Sequence, residues 1–327
     1  MSDKPDQVSP LTPGGVVVVG SITADVTAFS ERLPTQGETV LGTAVTLVLG
    51  GKGANQGVAA ARAGAHTFLV GCVGNDAFGS LATQGLCEDG VDLTHVKIIE
   101  DPTGIAHIRV DSAGENNIVM VPLANAMISE AQVDNAINAI AAHASVMLTQ
   151  LEIPARTVEH AIRTARMAGL TVVLDPAPAV SLDDRIWQFV DVVTPNETEA
   201  GYYTGVQIVD FDSAVAAGRW FCDRGARNVL ITRAAFGSVL VTASQAVLFG
   251  AYRVEAVDAT AAGDAFVGYL GAALARGIAL EDAIPEAMAA GALAVTKRGA
   301  SPSLPMLSDV ARFLAGHDTS SSRKDSL

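Results

Sequence analysis

GGKGANQGVAAARAGAHTFLVGCVG, residues 50–74, contains a glycine-rich turn, a small-residue helical segment that ends on glycine, and a strand. The strand segment Thr67–Gly74 is apolar at most positions, as is Val16–Gly20 before it, so both are predicted to be buried on both faces. The segments ASVMLTQ, TVVLDP, VDVVTP and NVLITR continue the pattern, with helical stretches between them. This alternation predicts an α/β domain with a mainly parallel central sheet and right-handed crossovers.

Two segments interrupt the alternation. GETVLGTAVTLVLGG (Gly37–Gly51) is largely extended, and GIAHIRVDSAGENNIVMVP (Gly104–Pro122) has the pattern of two strands around a turn. They predict a small antiparallel sheet inserted into the main domain, built from residues of about 21–50 and 103–123. An insertion beside a glycine-rich turn suits a lid, and an edge hairpin without a gating role is the alternative.

The two ends of the chain are polar. Residues 1–14 and 317–327 are predicted to be disordered tails, which leaves one domain over residues 15–316. The N-terminus lacks the basic start and apolar stretch of a signal peptide. No apolar run approaches the roughly 18 residues that a membrane helix needs.

Charge and cysteine content narrow the function classes. The 327 residues carry a formal net charge of −14, which argues against a nucleic acid or an anionic membrane as partner. The three cysteines, Cys72, Cys87 and Cys222, are widely spaced and form no C-x-x-C pair. This argues against a disulfide framework or a zinc site and favours a reducing compartment, so we expect a soluble cytoplasmic protein.

DATAAGDAFVGYLGAALARG (Asp258–Gly277) places an acid, Asp264, where a helical pattern begins. A helix N-terminus offers N–H donors and a positive dipole end, and small residues let a polyphosphate approach the backbone. A carboxylate in the first turn can then accept the proton of an attacking hydroxyl. The alternative is an acid that only caps its helix.

A second glycine-rich turn lies in Gly50–Gly64 and carries Lys52 and Asn55. Its glycines permit positive φ and close approach of a ligand to the backbone, while Lys52 and Asn55 offer hydrogen-bond donors. The spacing fits neither a Walker A loop nor the G-x-G-x-x-G dinucleotide motif. The chain therefore lacks the dinucleotide-binding motif that a nicotinamide-dependent oxidoreductase would carry.

With both turns, the chain resembles the ribokinase-like (PfkB) carbohydrate kinase family over about Val16–Pro305. The resemblance rests on these shared segments: GSITAD (Gly20–Asp25), PTQGETVLG (Pro34–Gly42), GGKGANQGVAAARAGA, TQLEIP (Thr149–Pro154), DPAPA (Asp175–Ala179), TPNETEA (Thr194–Ala200), VLIT (Val229–Thr232), DATAAGDAF and AVTKRGASPSLP (Ala294–Pro305). It implies a three-layer α/β/α fold with a small β-sheet lid, and ATP-dependent phosphorylation of the 5-hydroxyl of D-ribose. Another sugar (fructose or deoxyribose) or a nucleoside is the near alternative, and a non-catalytic sugar or nucleotide sensor is the alternative from another class.

The resemblance also implies roles for individual residues. Asp264 would be the general base, with the N–H groups of Ala261, Ala262 and Gly263 as the anion hole for the transferring phosphate. The sugar-binding positions would be Thr23, Ala24, Asp25, Gly51, Lys52, Gly53, Ala54, Asn55 and Glu152. The ATP-binding positions would be Asn196, Thr232, Arg233, Ala234, Ala235, Phe236, Gly237, Gly263 and Asp264.

Two cations and a partner chain are implied as well. Glu199 would act on Mg²⁺ indirectly, and a K⁺ ion would fix the anion-hole loop from behind. The K⁺ ligands would be Asp258, Thr260, Ala294, Lys297, Gly299 and Ser303, several of them through backbone carbonyls. A homodimer formed through the lid sheet is expected, because an extended apolar insertion benefits from cover.

Several implied site residues have plainer alternatives. Asp25 could simply cap a turn. Lys52 could be a solvated lysine in a loop, and Glu152 could be a surface glutamate. Asn196 and Glu199 suit an ordinary helix start, which is compatible with the functional role.

Four positions depart from the family pattern. Thr23 replaces an asparagine that contacts the sugar, so it keeps one hydroxyl and loses an amide. Ala259 lacks a hydroxyl beside the cation site, and Ala234 replaces a glycine in the nucleotide loop, where it strains or reshapes the turn. Leu123 stands where the family has a glycine before Asn125. None of the four alters Asp264, the anion hole or Lys52.

Overall fold

The computed structural model describes residues 14–317 and 323–326. Its strands, in chain order, are β1 Gly15–Val19, β2 Thr23–Ser30, β3 Gly42–Gly50, β4 Thr67–Gly74, β5 Asp92–Ile99, β6 Gly104–Val110, β7 Asn116–Val121, β8 Ala144–Thr149, β9 Thr171–Leu174, β10 Val192–Val193, β11 Asn228–Thr232, β12 Ser238–Thr242, β13 Ala246–Phe249 and β14 Arg323–Ser326. Ten of these strands form one sheet in the order β14-β13-β12-β11-β10-β9-β8-β1-β4-β5. The strands from β11 to β5 pair in parallel, and β12, β13 and β14 extend one edge antiparallel.

Helices cover both faces of this sheet. They are α1 Lys52–Arg62, α2 Ala77–Glu88, α3 Glu130–Ile140, α4 Ala155–Met167, α5 Glu197–Thr204, α6 Phe211–Cys222, α7 Ala262–Ala275, α8 Leu280–Ala294 and α9 Leu307–Ala315. Short 3₁₀ turns lie at Leu123–Met127, Asp184–Phe189, Ala234–Phe236 and Ser301–Ser303. Within the described residues, none of the helices is long and apolar enough to cross a membrane.

The side chains of β1 separate the two halves of the core. Val16 and Val18 pack with α1, α7 and α8 on one face, while Val17 and Val19 pack with α3, α4 and α6 on the other. All four valines are fully buried, as a strand covered on both faces requires. The predicted three-layer α/β/α arrangement with a mainly parallel sheet is confirmed.

The inserted segments form a separate four-stranded sheet in the order β3-β2-β6-β7, which we call the lid sheet. β2 pairs with β3, and β6 with β7, in antiparallel fashion as predicted. The two hairpins join through β2 and β6, which run parallel, so the lid sheet is mixed. It is a sheet of its own and not an edge of the central sheet, whereas its gating role stays a prediction.

The chain ends differ in part from expectation. Arg323–Ser326, within the segment predicted to be a disordered tail, forms β14 and pairs antiparallel with β13. The rest of both predicted tails, apart from Gly14 and His317, lies outside the described residues.

Candidate active site

Close packing of α1 on α7 places the two glycine-rich turns side by side. A Cβ on Gly268 of α7 would lie 2.4 Å from the Cβ of Ala59 on α1, so only glycine permits this approach. As a result Asp264, in the first turn of α7, reaches two side chains at the start of α1. Asn55 Nδ2 donates to Asp264 Oδ2 at 3.0 Å, and Gln56 Nε2 donates to Asp264 Oδ1 at 3.1 Å.

Asp264 does not cap its own helix. The N-cap of α7 is Ala261, in the left-handed region at φ 60°, and it makes no side-chain cap. The Asp264 side chain is instead turned towards α1 and is only 5% exposed. A Cβ on Gly263 would meet no atom within 4 Å, so there is open space beside the helix N-terminus. The N–H of Ala262, one of the three predicted anion-hole donors, donates to Ala259 O at 3.3 Å.

The second turn is held by Glu152. Its Oε2 accepts from the backbone N–H of Lys52 at 2.9 Å and from Ser21 Oγ at 2.5 Å. Gly51 precedes the helix at φ 89°, and a Cβ on Gly53 would lie 2.5 Å from Ser21 N. This carboxylate therefore caps the start of α1, where the positive end of the helix dipole favours it. The family resemblance implies a sugar contact for Glu152, and its partners in the structure are protein groups, Ser21 and Lys52.

The Lys52 ammonium lies among carboxylates. Its Nζ is 3.3 Å from Asp175 Oδ2 and 3.8 Å from Asp264 Oδ1. Burial alone would lower the pKa of Lys52, but Asp175, Asp264, Glu152 and Glu199 together raise it above its ordinary value. Lys52 is thus a charged residue of the site and not a solvated loop lysine.

Asp175 belongs to this cluster, although no site role was predicted for it. Burial raises its pKa to about 7, opposed by the charge of Lys52 and assisted by the charges of Glu199 and Asp264. Gln56 Nε2 also donates to Asp175 Oδ2 at 2.9 Å. Asp175 directly follows the buried strand β9, and ligands bind at the carboxyl ends of such strands, so its position was the available signal.

The lid sheet brings Asp25 to the same region. Asp25 is 7% exposed, and a Cβ on Gly50 would lie 2.0 Å from its carboxylate, so the glycine makes room for the acid. Burial raises the pKa of Asp25 to about 6; the hydrogen bond from Thr23 opposes the rise, and the charges of Glu152 and Asp264 add to it. Thr23 Oγ1 donates to Asp25 Oδ1 at 2.8 Å. Asp25 therefore serves as more than a turn cap.

Asn125 fixes the strand entry beside Asp25. Its Oδ1 accepts from Ile22 N and its Nδ2 donates to Ile22 O, both at 2.8 Å. Leu123, the departure two residues earlier, adopts φ 47°, which favours glycine.

The predicted nucleotide residues other than Gly263 and Asp264 lie at or just after the ends of β10 and β11. Asn196 and Glu199 form a capping box at the start of α5, so the predicted helix start is present. The 3₁₀ turn after Arg233 includes Ala235 and Phe236, and Ala234 within it adopts φ 42°, a strained value for alanine. Gly237 closes the loop with φ 86°, and its N–H donates to Ala234 O at 3.2 Å.

Two of the predicted cation residues, Thr260 and Gly299, contact Asp258. Asp258 Oδ1 accepts from Thr260 N at 2.9 Å and from Thr260 Oγ1 at 2.6 Å, while Oδ2 accepts from Gly299 N at 2.9 Å. Burial alone would raise the pKa of Asp258, but these hydrogen bonds lower it below its ordinary value. Ala294 O accepts from Lys297 N at 3.1 Å, and Ser303 Oγ donates to Ala300 O at 2.8 Å.

Neither metal geometry nor cavity size marks this site. In the part of the chain that the structure describes, no group of three or more His, Cys, Asp or Glu side chains is arranged to hold a metal ion. A cavity of about 430 Å³ lies elsewhere, lined by Glu159, Arg163, Asp183, Arg185, Gln188 and Phe189. Its arginines pair with its own acids, so the buried charged cluster around Asp264 is the stronger candidate.

Comparison with known proteins gives consistent matches along almost the whole chain. The model of the pfkB family carbohydrate kinases matches residues 14–307. The ribokinase of Haemophilus influenzae is 39% identical over 300 residues, covering 91% of this chain and 98% of its own. The deoxyribokinase of Salmonella typhi is 33% identical over 302 residues, covering 92% and 98%. The structure of Arabidopsis thaliana ribokinase complexed with ribose and ATP superposes with a TM-score of 0.84 at 31% identity, covering 93% and 99%.

Proposed function

The chain belongs to the pfkB family of carbohydrate kinases, and we propose that it transfers the γ-phosphate of ATP to the 5-hydroxyl of D-ribose. The products are D-ribose 5-phosphate and ADP. The observation that carries this proposal is the buried Asp264 carboxylate at the N-terminus of α7, held by Asn55 and Gln56 beside the Lys52 ammonium. A base at a helix N-terminus is the arrangement that phosphoryl transfer to an alcohol needs.

Asp264 acts as the general base. Its carboxylate accepts the proton of the 5-hydroxyl while that oxygen forms a bond to the γ-phosphorus. The bond between the γ-phosphorus and the β–γ bridging oxygen breaks, and ADP leaves with that electron pair. The N–H groups of Ala261 and Gly263, joined by that of Ala262 once it leaves Ala259 O, stabilise the charge on the transferring phosphate at the positive end of α7.

The sugar is held by the lid sheet and the start of α1. Asn55 Oδ1 is buried and has no hydrogen-bond partner among the described residues. This oxygen can therefore accept a hydrogen bond from a sugar hydroxyl. Asp25 and Lys52 supply an acceptor and a donor next to it. Gly51, Gly53 and Ala54 leave the backbone accessible, and Glu152 positions the turn.

The residues present also fit two cations. Glu199 offers carboxylate oxygens, which are ligands that Mg²⁺ prefers, and would contact the ion through a bound water. Glu199 and Asn196 would both lie near the phosphates of ATP. The Asp258 carboxylate, the hydroxyls of Thr260 and Ser303 and the backbone carbonyls of the predicted set are oxygen ligands of the kind that suits K⁺. When bound, Mg²⁺ would neutralise phosphate charge, and K⁺ would polarise the anion-hole loop. Thr232 to Gly237 hold the nucleotide of ATP.

Deoxyribose is the second candidate substrate. The Thr23 hydroxyl is bonded to Asp25, so its single hydrogen is not available as a donor to a sugar oxygen. A pocket with fewer donors discriminates less against a sugar that lacks one hydroxyl. The resemblance to a deoxyribokinase supports testing both sugars.

A homodimer and a cytoplasmic location complete the proposal. One face of the lid sheet exposes the aliphatic side chains of Val45, Leu47, Val119 and Val121, which a second copy of the chain would cover. The three cysteines are unpaired thiols, in keeping with a reducing compartment.

The test is a coupled ADP-release assay with a panel of ribose, deoxyribose, fructose and nucleosides. We expect the highest kcat/KM with ribose. Brisk turnover of another sugar or a nucleoside, with none of ribose, would reject the ribose assignment. Binding of sugar and nucleotide without turnover of any panel member would instead support the sensor.

A further inference from the structure

A second buried carboxylate lies next to the proposed base. Asp175 is 4% exposed, and Gln56 is fully buried between it and Asp264. The Gln56 Nε2 amide donates to Asp175 Oδ2 at 2.9 Å and to Asp264 Oδ1 at 3.1 Å. One amide group therefore joins the two acids.

The orientation of the Gln56 amide is fixed by its neighbours. Ionised carboxylates only accept hydrogen bonds, so the side of Gln56 that faces both acids must be its NH₂ group. On the other side, Gln56 Oε1 accepts from Gln150 Nε2 at 2.5 Å. Gly20 makes room for Gln150, since a Cβ there would lie 2.2 Å from Gln150 Oε1.

We propose that Asp175 is a positioning residue of the phosphoryl-transfer site, which holds the Lys52 ammonium directly and the Asp264 carboxylate through Gln56. The inference deepens the proposed kinase function and rests on it. Asp175 takes no proton from the sugar. It sets where the ammonium sits, because its Oδ2 is nearer to Lys52 Nζ (3.3 Å) than Asp264 Oδ1 is (3.8 Å).

The position of this ammonium matters for the base. Without the charge of Asp175, Asp264 is the nearest acid to Lys52, so the ammonium would move towards Asp264 and occupy an oxygen that the base needs for the substrate proton. Three charged groups face Asp175: Lys52 from α1, Asp264 from α7 and Glu199 from α5. Because burial raises the pKa of Asp175 to about 7, its charge changes within an accessible pH range.

The variant Asp175→Asn tests the proposal through pH. Above pH 7 the wild-type carboxylate is charged and the variant amide is not, so kcat/KM should fall by about 10²-fold, the scale of misplaced catalytic groups. Below that pH, protonated Asp175 and Asn carry the same charge, so the two proteins should converge. The measurement is the ratio of wild-type to variant kcat/KM for the best panel sugar from pH 6 to pH 8.5.

Asp191→Asn is the matched control. Asp191 is also a buried acid, 7% exposed, but it pairs with Arg166 and Arg227 outside the site. Its variant should reduce stability while the kcat/KM of the folded protein stays unchanged at every pH.

Four outcomes would overturn the inference. A wild-type-to-variant ratio near one at pH 8, or a reduced rate with the same ratio at every pH, would leave Asp175 without a positioning role while the kinase function stands. A wild type that turns over no panel sugar would remove the proposed function and this inference together.

If Asp175→Asn fails to fold, Gln56→Met tests the same link. This variant should have a lower kcat and an unchanged Kd for the sugar. An unchanged kcat would contradict the inference.

Discussion

Both carboxylate oxygens of Asp264 accept a hydrogen bond from a side-chain amide, one from Asn55 and one from Gln56. The two bonds fix the plane of the carboxylate, and each oxygen keeps a further lone pair for a substrate proton. The base is thus oriented before substrate binds, which is the preorganisation that proton transfer benefits from.

At Asp25, burial of the acid has a predictable effect on stability. The pKa rises from 3.8 to about 6, so between these values the folded state binds more protons than the unfolded state, and stability falls as pH rises. Above pH 6 the buried Asp25 is charged in the folded state, and this lowers the free energy of unfolding by its full amount, roughly 3 kcal/mol. Asp25→Asn should therefore raise the free energy of unfolding at pH 8 by up to about that amount, and by less at pH 5. Urea unfolding at the two pH values measures this.

Asp212→Asn is the control, because it removes the same charge from an exposed position in the first turn of α6. Its effect should stay within about 0.5 kcal/mol. A destabilised Asp25→Asn variant at pH 8 would contradict the account of Asp25 as a buried, costly charge. Its KM for sugar should rise at the same time.

Among the elements, the 3₁₀ turn in the nucleotide loop carries strain that can be relieved. Ala234 is exposed and adopts φ 42°, where a Cβ is unfavourable. Ala234→Gly should raise the free energy of unfolding by about 0.5–1 kcal/mol, the left-handed penalty less the added freedom of the unfolded chain. Ala235→Gly, at an exposed neighbour without positive φ, should be neutral or destabilising. Equal effects of both variants in thermal unfolding would refute strain at Ala234.

The loop that carries Asp258 predicts a cation requirement. Its oxygens would bind K⁺ behind the anion hole, so activity should be higher in KCl than in NaCl at equal ionic strength. Asp258→Asn removes the only carboxylate of the predicted ligand set. It should abolish the difference in activity between the two salts. Equal wild-type rates in both salts, measured by ADP release, would count against the cation site.

The elements also show where sequence is informative. The buried strands, the glycine-rich turns and the inserted hairpins follow from apolar runs and turn residues, and the structure confirms them. The parallel pairing of β2 with β6 was not predicted, because it joins segments about 80 residues apart. The contact of Gly268 with Ala59 depends on how α1 and α7 cross, and neither helix alone encodes it.

For the molecule as a whole, the two glycine-rich turns taken together predicted the site better than either motif did alone. Asp264 on α7 meets Lys52 and Asn55 because α1 packs against α7, and Asp25 reaches the same region from the lid sheet. Asp175 and Gln56 were missed, because an acid after a strand and a glutamine in a helix have many ordinary uses. Their role becomes visible only when three separate elements bury them together.

The exposed aliphatic face of the lid sheet predicts self-association. Val119 is 56% exposed on β7, and Val119→Lys should convert a dimer to a monomer in sedimentation velocity by placing a charge in the interface. Met167→Lys is the control, because Met167 is 79% exposed at the end of α4, away from the lid sheet. A monomeric wild type, or a Val119→Lys variant that stays dimeric, would contradict this arrangement.

The most direct test of the whole account is kcat for ribose in the variant Asp264→Asn, with the Kd for ribose measured beside it. Asp282→Asn, an exposed acid in the first turn of α8, is the matched control and should keep wild-type activity. We predict that Asp264→Asn lowers kcat by about 10²–10⁴-fold, the usual contribution of a general base, while ribose still binds. An unchanged kcat in Asp264→Asn would show that another group accepts the proton and would contradict the account.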